Sequence, residues 1–165
     1  MQQIRFTTFD SRLGRVLMAA TRHGVCKVSF GRDDADLETQ LAAEFSEADR
    51  IRDDAGLAAW SGELAAYLQG SHGHLDIPLD AQGTAFQHKV WTALRQIPYG
   101  QTRTYAQLAQ AINQPAAVRA AARACATNPV AVVTPCHRVV RSDGGLGGYR
   151  WGLERKKRLL ESERG

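Results

Sequence analysis

The chain has 165 residues, 44% hydrophobic and 23% charged, enough for one domain with a good core or two small ones, without covalent staples. Its three cysteines, Cys26, Cys125 and Cys136, are odd in number and widely spaced, which argues against a disulfide framework and for a reducing compartment. No apolar run reaches membrane-span length and the opening MQQIRFTTFD lacks the apolar core of a signal peptide, so a cytoplasmic chain with no membrane association is expected.

The first thirty residues alternate as strands do, over Ile4 to Phe9, Val16 to Ala20 and Val25 to Phe30, with turn signals at Ser11 to Arg15 and His23-Gly24. This predicts a small antiparallel meander. Two helices follow, Asp36 to Phe45 capped by Asp33 or Asp34, and Gly56 to Leu68 ended by Gly70. This half is α+β and carries no catalytic motif. His23, Cys26, His72 and His74 show no recognised ligand spacing, so surface histidines and no metal are expected. Asp80-Ala81-Gln82-Gly83 reads as a boundary between domains 1–80 and 81–165.

Charge divides at the same place. Residues 1–83 carry 8 basic and 13 acidic side chains, net −5, and residues 84–165 carry 13 and 4, net +9. An imbalance of this size points to a polyanionic partner for the second half, nucleic acid first, against the alternative of a solvated basic surface. Phe86, Val90, Trp91, Leu94 and Ile97 keep helical period until Pro98-Tyr99-Gly100. Tyr105, Leu108, Ala109 and Ile112 form a second helix, broken at Asn113-Gln114-Pro115, and AAVRAAARACA from Ala116 to Ala126 forms a third. That spacing fits a helix-turn-helix. The third helix is nearly all alanine, with Arg119 and Arg123 four apart on one face. It is slim enough to enter an anionic groove, though in isolation it also fits a packed helix with two surface arginines.

The stretch Val133-Thr134-Pro135-Cys136-His137-Arg138-Val139-Val140 sets a thiol, an imidazole and a guanidinium between aliphatic pairs. The aliphatic flanks suit an inert buried cysteine, whereas a neighbouring imidazole and guanidinium lower a thiol pKa and favour a nucleophile. These residues alone leave both open. A glycine-rich segment, Ser142 to Gly148, leads to Tyr149-Arg150-Trp151-Gly152 and reads as a pocket wall or a long turn. On the last helix Leu153, Lys156, Leu160 and Glu163 share a face, so an inward Glu163 would pair with His137.

Phe86-Gln87, Val90-Trp91, IPYG, Tyr105, Arg119-Ala120, Asn128-Pro129, Pro135-Cys136-His137-Arg138-Val139, Gly148-Tyr149 and Lys156 through Leu159-Leu160 to Glu163 resemble the O6-alkylguanine-DNA alkyltransferases. GTAFQ, AVRA, PCHRVVR and GYRWG look most like the alkyltransferase domain of the Ada-type bacterial adaptive-response proteins. The likeness is continuous over the second half and loose over the first. It implies a ribonuclease H-like N-terminal α+β domain and a winged-helix-like C-terminal domain with the helix-turn-helix. It also implies direct-reversal DNA repair by a single-turnover methyltransferase that binds the minor groove of duplex DNA and flips an O6-alkylguanine. By the same resemblance Cys136 accepts the alkyl group, His137 is the base through a water, Glu163 orients it, Tyr105 assists guanine as it leaves and Asn128 braces the site. Arg119 takes the place of the flipped base, with Ala120, Arg123 and Tyr105 also at the DNA. Tyr149, Arg150, Trp151 and Val139 line the pocket. No cofactor and no obligate protein partner are implied, and a monomer is expected.

Three departures stand out. Asn113 occupies a turn position where relatives commonly carry glycine, which asparagine tolerates because it visits the left-handed region. Arg150-Trp151 brings bulk where some relatives have serine and glycine, predicting a tight pocket that favours methyl over large adducts. The cysteine cluster of the Ada metal-binding transcriptional domain is absent, so regulation through that domain is not expected. The competing reading is a damage sensor or helix-turn-helix regulator without chemistry, but such sensors lack the reactive cysteine. A papain-like protease lacks its local signature, and a thiol-disulfide oxidoreductase would carry a second cysteine close by.

Overall fold

The structure is a computed structural model that describes residues 2–71 and 73–164. The chain forms two compact units, Met1–Gln82 and Gly83–Gly165. Among the described residues no helix is long and apolar enough to cross a membrane.

In the first unit β1 (Gln3–Ser11), β2 (Gly14–Ala20) and β3 (Val25–Gly31) form the antiparallel meander that the alternation predicts. Gly14, at φ +117°, closes the first turn, where the Ser11 hydroxyl donates to its carbonyl. Helix α1 (Asp34–Glu44) starts two residues before the predicted point, because the Asp33 carboxylate caps it by accepting from the Asp36 amide at 2.8 Å. Helix α2 (Ala58–Leu68) starts two residues late, since Asp53 holds the Gly56 amide in a turn ahead of it. Gly70, at φ +113°, ends that helix.

The meander has a fourth strand that the sequence pattern does not predict. Strand β4 (Asp49–Arg52) pairs parallel with β1, giving the order β3-β2-β1-β4. Its four residues are all exposed, so it lacks the apolar alternation that marks a half-buried strand. Its place comes from the β1 ladder and from Arg52, whose guanidinium lies 5.1 Å over the Phe6 ring. Ile4, Phe6, Leu17, Ala19 and Cys26 on the sheet pack against Leu37, Leu41 and Phe45 of α1. Cys26 is inert there, its thiol pushed up to about 12 chiefly by burial. Lys27, also buried, pairs with Glu44 of α1.

In the second unit α3 (Ala85–Arg95) opens with a reciprocal capping box between Thr84 and Gln87. It buries Val90, Trp91 and Leu94, and the Trp91 indole donates to the Ala124 carbonyl at 2.9 Å. A second capping box, Thr104 with Gln107, starts α4 (Tyr105–Ala111). Asn113 turns the chain at φ +60°, the left-handed conformation expected of it, and α5 (Val118–Ala126) follows, packed on both α3 and α4. A 3-10 turn over Cys136–Arg138 leads to β6 (Val139–Val140), which pairs parallel with β5 (Arg103–Thr104). Helix α6 (Leu153–Arg164) buries Lys156, Leu159, Leu160 and Glu163.

Candidate active site

The segment between α5 and the 3-10 turn is held by one side chain. Asn128 is buried, and its amide nitrogen donates to the carbonyls of Thr134 at 2.9 Å and Val130 at 3.2 Å and to Cys136 Sγ at 3.3 Å. Its Oδ1 accepts from the Val130 amide at 2.9 Å. These bonds impose a fold-back in which Val132 sits at φ +68°, costing a β-branched residue roughly 1–2 kcal/mol. The run Val130 to Val133 is buried because of this turn, and the turn sets Cys136 at the head of the 3-10 helix.

Cys136 is 4% exposed, and burial pushes its thiol up to about 11. The Asn128 hydrogen bond and the charges of Lys156 and Arg150 act in the opposite direction. This corrects the expectation that its chain neighbours acidify it. His137 and Arg138 are engaged with Glu163 instead, at 2.7 Å from His137 Nε2 to Oε2 and 2.7 Å from Arg138 Nε to Oε1, and Arg138 also donates to the Ile97 carbonyl at 2.8 Å. The 3-10 turn, which spaces successive side chains about 120° apart, separates the thiol from the two side chains that meet Glu163.

The Glu163 pair also fixes the chemistry of His137. A carboxylate already accepting from Arg138 accepts from Nε2, so Nε2 carries the proton and Nδ1 is left with its lone pair. Nδ1 is buried and has no hydrogen-bond partner among the described residues. Burial lowers the His137 pKa and outweighs the pull of Glu163, so the ring is neutral at physiological pH. A neutral imidazole with its basic nitrogen unoccupied, next in chain to a protonated thiol, is a base awaiting a proton.

Lys156 is the group that sequence reasoning placed on the right face of α6 but gave no role. It is fully buried, and its ammonium donates to the carbonyls of Val139 at 2.7 Å and Gly148 at 3.0 Å. It also lies 5.9 Å from the centre of the Tyr105 ring. No carboxylate pairs with it among the described residues, so its charge acts on the cleft. The signal was a lysine inside an apolar stripe.

Above Cys136 opens a cleft of about 870 Å³, walled by Tyr105, by Val118, Arg119, Ala122, Cys125 and Ala126 of α5, and by Arg141 and Gly147 to Arg150. Tyr105, Arg119, Cys136, Tyr149 and Arg150 of the predicted site therefore meet in one place, with Asn128 hydrogen-bonded to the thiol and His137 paired with Glu163 outside the lining. Burial holds the Tyr105 phenol up at about 12, so it stays an O–H donor at neutral pH. Gly147 is required beside it: at φ +74°, a Cβ would stand 2.7 Å from the Tyr105 hydroxyl.

Four predicted residues lie off this wall. Trp151 is buried behind Tyr149, ring to ring at 5.2 Å, and its bulk does not narrow the cleft. Val139 is buried in the β5–β6 pair and offers only its carbonyl, to Lys156. Ala120 and the exposed Arg123 do not line the cleft, although Arg123 lies one turn along α5 from Arg119. Conversely, Arg141 and Cys125 line the cleft unforeseen. Among the described residues no cluster of metal-ligating side chains forms, and His72 lies outside them.

A buried thiol next in chain to a neutral imidazole, on a cleft walled by the second helix of a helix-turn-helix, has the makings of a cysteine nucleophile in a nucleic-acid-binding fold. Family models match both units: residues 4–81 the ribonuclease-like domain, and residues 85–165 the DNA binding domain, of 6-O-methylguanine DNA methyltransferase. The chain belongs to this family. It is 48% identical over 160 residues to the bifunctional transcriptional activator/DNA repair enzyme Ada of Escherichia coli, covering 97% of this chain and 45% of that protein, so it spans a little under half of that relative. It is 38% identical over 164 residues to a methylated-DNA--protein-cysteine methyltransferase of Mycolicibacterium paratuberculosis, covering 98% and 93% of the two chains. The crystal structure of Mycobacterium tuberculosis O6-methylguanine methyltransferase superposes with a TM-score of 0.81 at 34% identity over 99% of this chain and 93% of that one. That of Mycobacterium tuberculosis OGT in complex with DNA gives 0.82 at 34% identity over 97% and 92%.

Proposed function

We propose that this protein repairs DNA by direct reversal, moving the alkyl group, chiefly methyl, from O6-alkylguanine in duplex DNA to Cys136 Sγ, once per molecule. The observation that carries the reading is the protonated, buried thiol lining the cleft, hydrogen-bonded by Asn128 and followed in chain by a neutral His137 that Glu163 holds in one tautomer. A saturated carbon is attacked well by a soft thiolate, and no metal or organic cofactor is needed for that displacement.

In this reading the helix pair docks in the minor groove, Arg119 fills the gap left by the flipped base, and Ala120 and Arg123 contact the DNA beside it. The base enters between Tyr105, α5 and the Tyr149 loop. The S–C bond forms as the C–O6 bond breaks. The thiol proton passes through a water to His137 Nδ1, the leaving guanine anion is met by the Tyr105 O–H, and guanine then takes a proton from solvent as His137 returns one, so that overall one proton moves from thiol to guanine. The product thioether has no group poised to cleave it, which makes the protein single-use. Residues 81–165 would then be the DNA-binding and alkyl-acceptor domain and residues 1–80 its support, in a cytoplasmic monomer.

With Trp151 turned away, the preference for methyl rests on Arg150, which reaches across to donate to the Asn128 carbonyl at 3.1 Å. Arg150→Ser is expected to speed benzyl transfer at least several-fold more than methyl transfer in single-turnover assays. Equal changes for both groups would remove Arg150 as the size filter.

The direct test is intact-protein mass after mixing with excess duplex containing one O6-methylguanine. Wild type should gain one methyl group and stop, and Cys136→Ser should gain none. No gain by wild type, with tight binding to the damaged duplex, would make the protein a sensor instead.

A further inference from the structure

Three guanidinium groups line the cleft: those of Arg119, Arg141 and Arg150. In the reading above Arg119 replaces the flipped base. Arg150 is committed within the protein, donating to the Asn128 carbonyl at 3.1 Å with its guanidinium 5.4 Å over the Trp151 ring. Arg141 has no task in the reaction. We propose that Arg141 grips a backbone phosphate next to the flipped nucleotide, and that Asp143 is the resident counter-anion which the phosphate displaces. This rests on the DNA-repair reading and adds a contact to it.

The local backbone holds Arg141 ready. Its amide donates to the Gly145 carbonyl at 2.9 Å, its carbonyl accepts from the Gly144 amide at 3.2 Å, and Gly144 sits at φ +90°. Asp143 closes the same turn through Oδ1, which accepts from the Gly145 amide at 2.9 Å, while Oδ2 accepts from Arg141 Nη2 at 2.8 Å. A rigid turn therefore fixes where the guanidinium starts, and the ordering cost of binding is reduced accordingly.

The pair is also easy to exchange. The side chains of Arg141 and Asp143 are 61% and 59% exposed, and an ion pair in that setting contributes little stability. One Nη of the guanidinium serves Asp143 and the remaining N–H donors face solvent, a geometry suited to a tetrahedral oxyanion. Among the described residues no acidic side chain lines the cleft.

The shape of the cleft indicates which anion. Its lining combines Tyr105, Val118, Ala122 and Gly147-Gly148, which carry no charge, with the exposed residues Arg119, Arg141 and Arg150. A nucleotide has the same distribution, an apolar disc with a phosphate on either side. With the base seated toward the buried Cys136, its phosphates lie toward solvent, where the exposed Arg141 side chain is. The charge of Arg141 is felt at the Tyr105 phenol, which it lowers against the effect of burial, consistent with that position.

The test is equilibrium binding to undamaged and O6-methylguanine duplexes across roughly 50 to 200 mM salt. Arg141→Gln should weaken both duplexes alike, by about five- to tenfold at the low-salt end, and reduce the slope of log affinity against log salt by about 0.9, the value for one phosphate contact. Arg141→Lys should restore most of the slope. Asp143→Asn keeps the Oδ1 acceptor for Gly145 but removes the competing charge, so it should tighten binding by about two- to fivefold, the opposite sign. An unchanged slope in Arg141→Gln, a loss confined to the damaged duplex, or weaker binding by Asp143→Asn would each overturn the proposal. If wild type accepts methyl and binds duplex while Arg141→Gln keeps its slope, the phosphate contact alone falls. If wild type neither binds duplex nor accepts methyl, the repair reading falls with it.

Discussion

Glu163→Ala is expected to cost roughly 3–5 kcal/mol of folding stability and to slow methyl transfer by about a hundredfold or more. Glu163 accepts from His137 Nε2, Arg138 Nε and Arg138 Nη2, at 2.7, 2.7 and 3.2 Å. The two basic side chains are themselves buried. Removing the carboxylate strands the Arg138 charge in a low-dielectric site, and breaking one side of a buried pair is far costlier than the net worth of the pair. The kinetic loss has a separate origin. Without an acceptor at Nε2 the imidazole is free to place its proton on Nδ1, where it can no longer receive one from the thiol.

Glu163→Gln separates the two effects. It keeps the volume and one acceptor oxygen, but its NH₂ group meets either the Nε2–H or the Arg138 donors, so one of the two contacts must be given up. Its stability loss should be smaller than that of the alanine variant, while transfer stays slow. Urea melts read the first quantity and single-turnover transfer from an O6-methylguanine duplex reads the second. Full-speed transfer by Glu163→Gln would mean that the tautomer of His137 is not set by Glu163.

The same residues show what was legible from sequence. The inward Glu163 could be anticipated because helical period places it with Leu160 and Lys156, and burial of a carboxylate demands a partner. The Asn113 turn was legible because few residues tolerate φ near +60°. Strand β4 was not, because its exposed residues carry no pattern and its pairing comes from β1. The thiol's electrostatics were misread for a related reason. Adjacency in chain was taken for adjacency in space, yet a single 3-10 turn moves His137 and Arg138 to Glu163 and leaves the distant Lys156 and Arg150 as the cations that act on Cys136. Trp151 and Val139, pocket residues by the family resemblance, are held off the cleft lining by a ring pair with Tyr149 and by the pairing of a short strand.

Lys156→Met tests the cation that chain order hid. The buried Lys156 ammonium favours the thiolate, and its removal should raise the thiol pKa by on the order of one unit. The thiolate is the reactive form, so in wild type the rate of Cys136 alkylation by iodoacetamide should climb about tenfold per pH unit toward its pKa of about 11. The variant should lie about tenfold below wild type near neutral pH, where Lys156 still holds its proton although burial lowers its pKa. Methyl transfer from DNA should fall further, because the Val139 and Gly148 carbonyls also lose the donor that ties them together. Lys156→Arg divides these roles. It keeps the charge, so iodoacetamide should react nearly as in wild type. Its planar guanidinium, however, does not fit a site shaped for an ammonium between two carbonyls, so the loop carrying Tyr149 shifts and transfer from DNA slows. Wild-type thiol reactivity in Lys156→Met would assign Lys156 to loop bracing alone, with Asn128 left as the principal stabiliser of the thiolate.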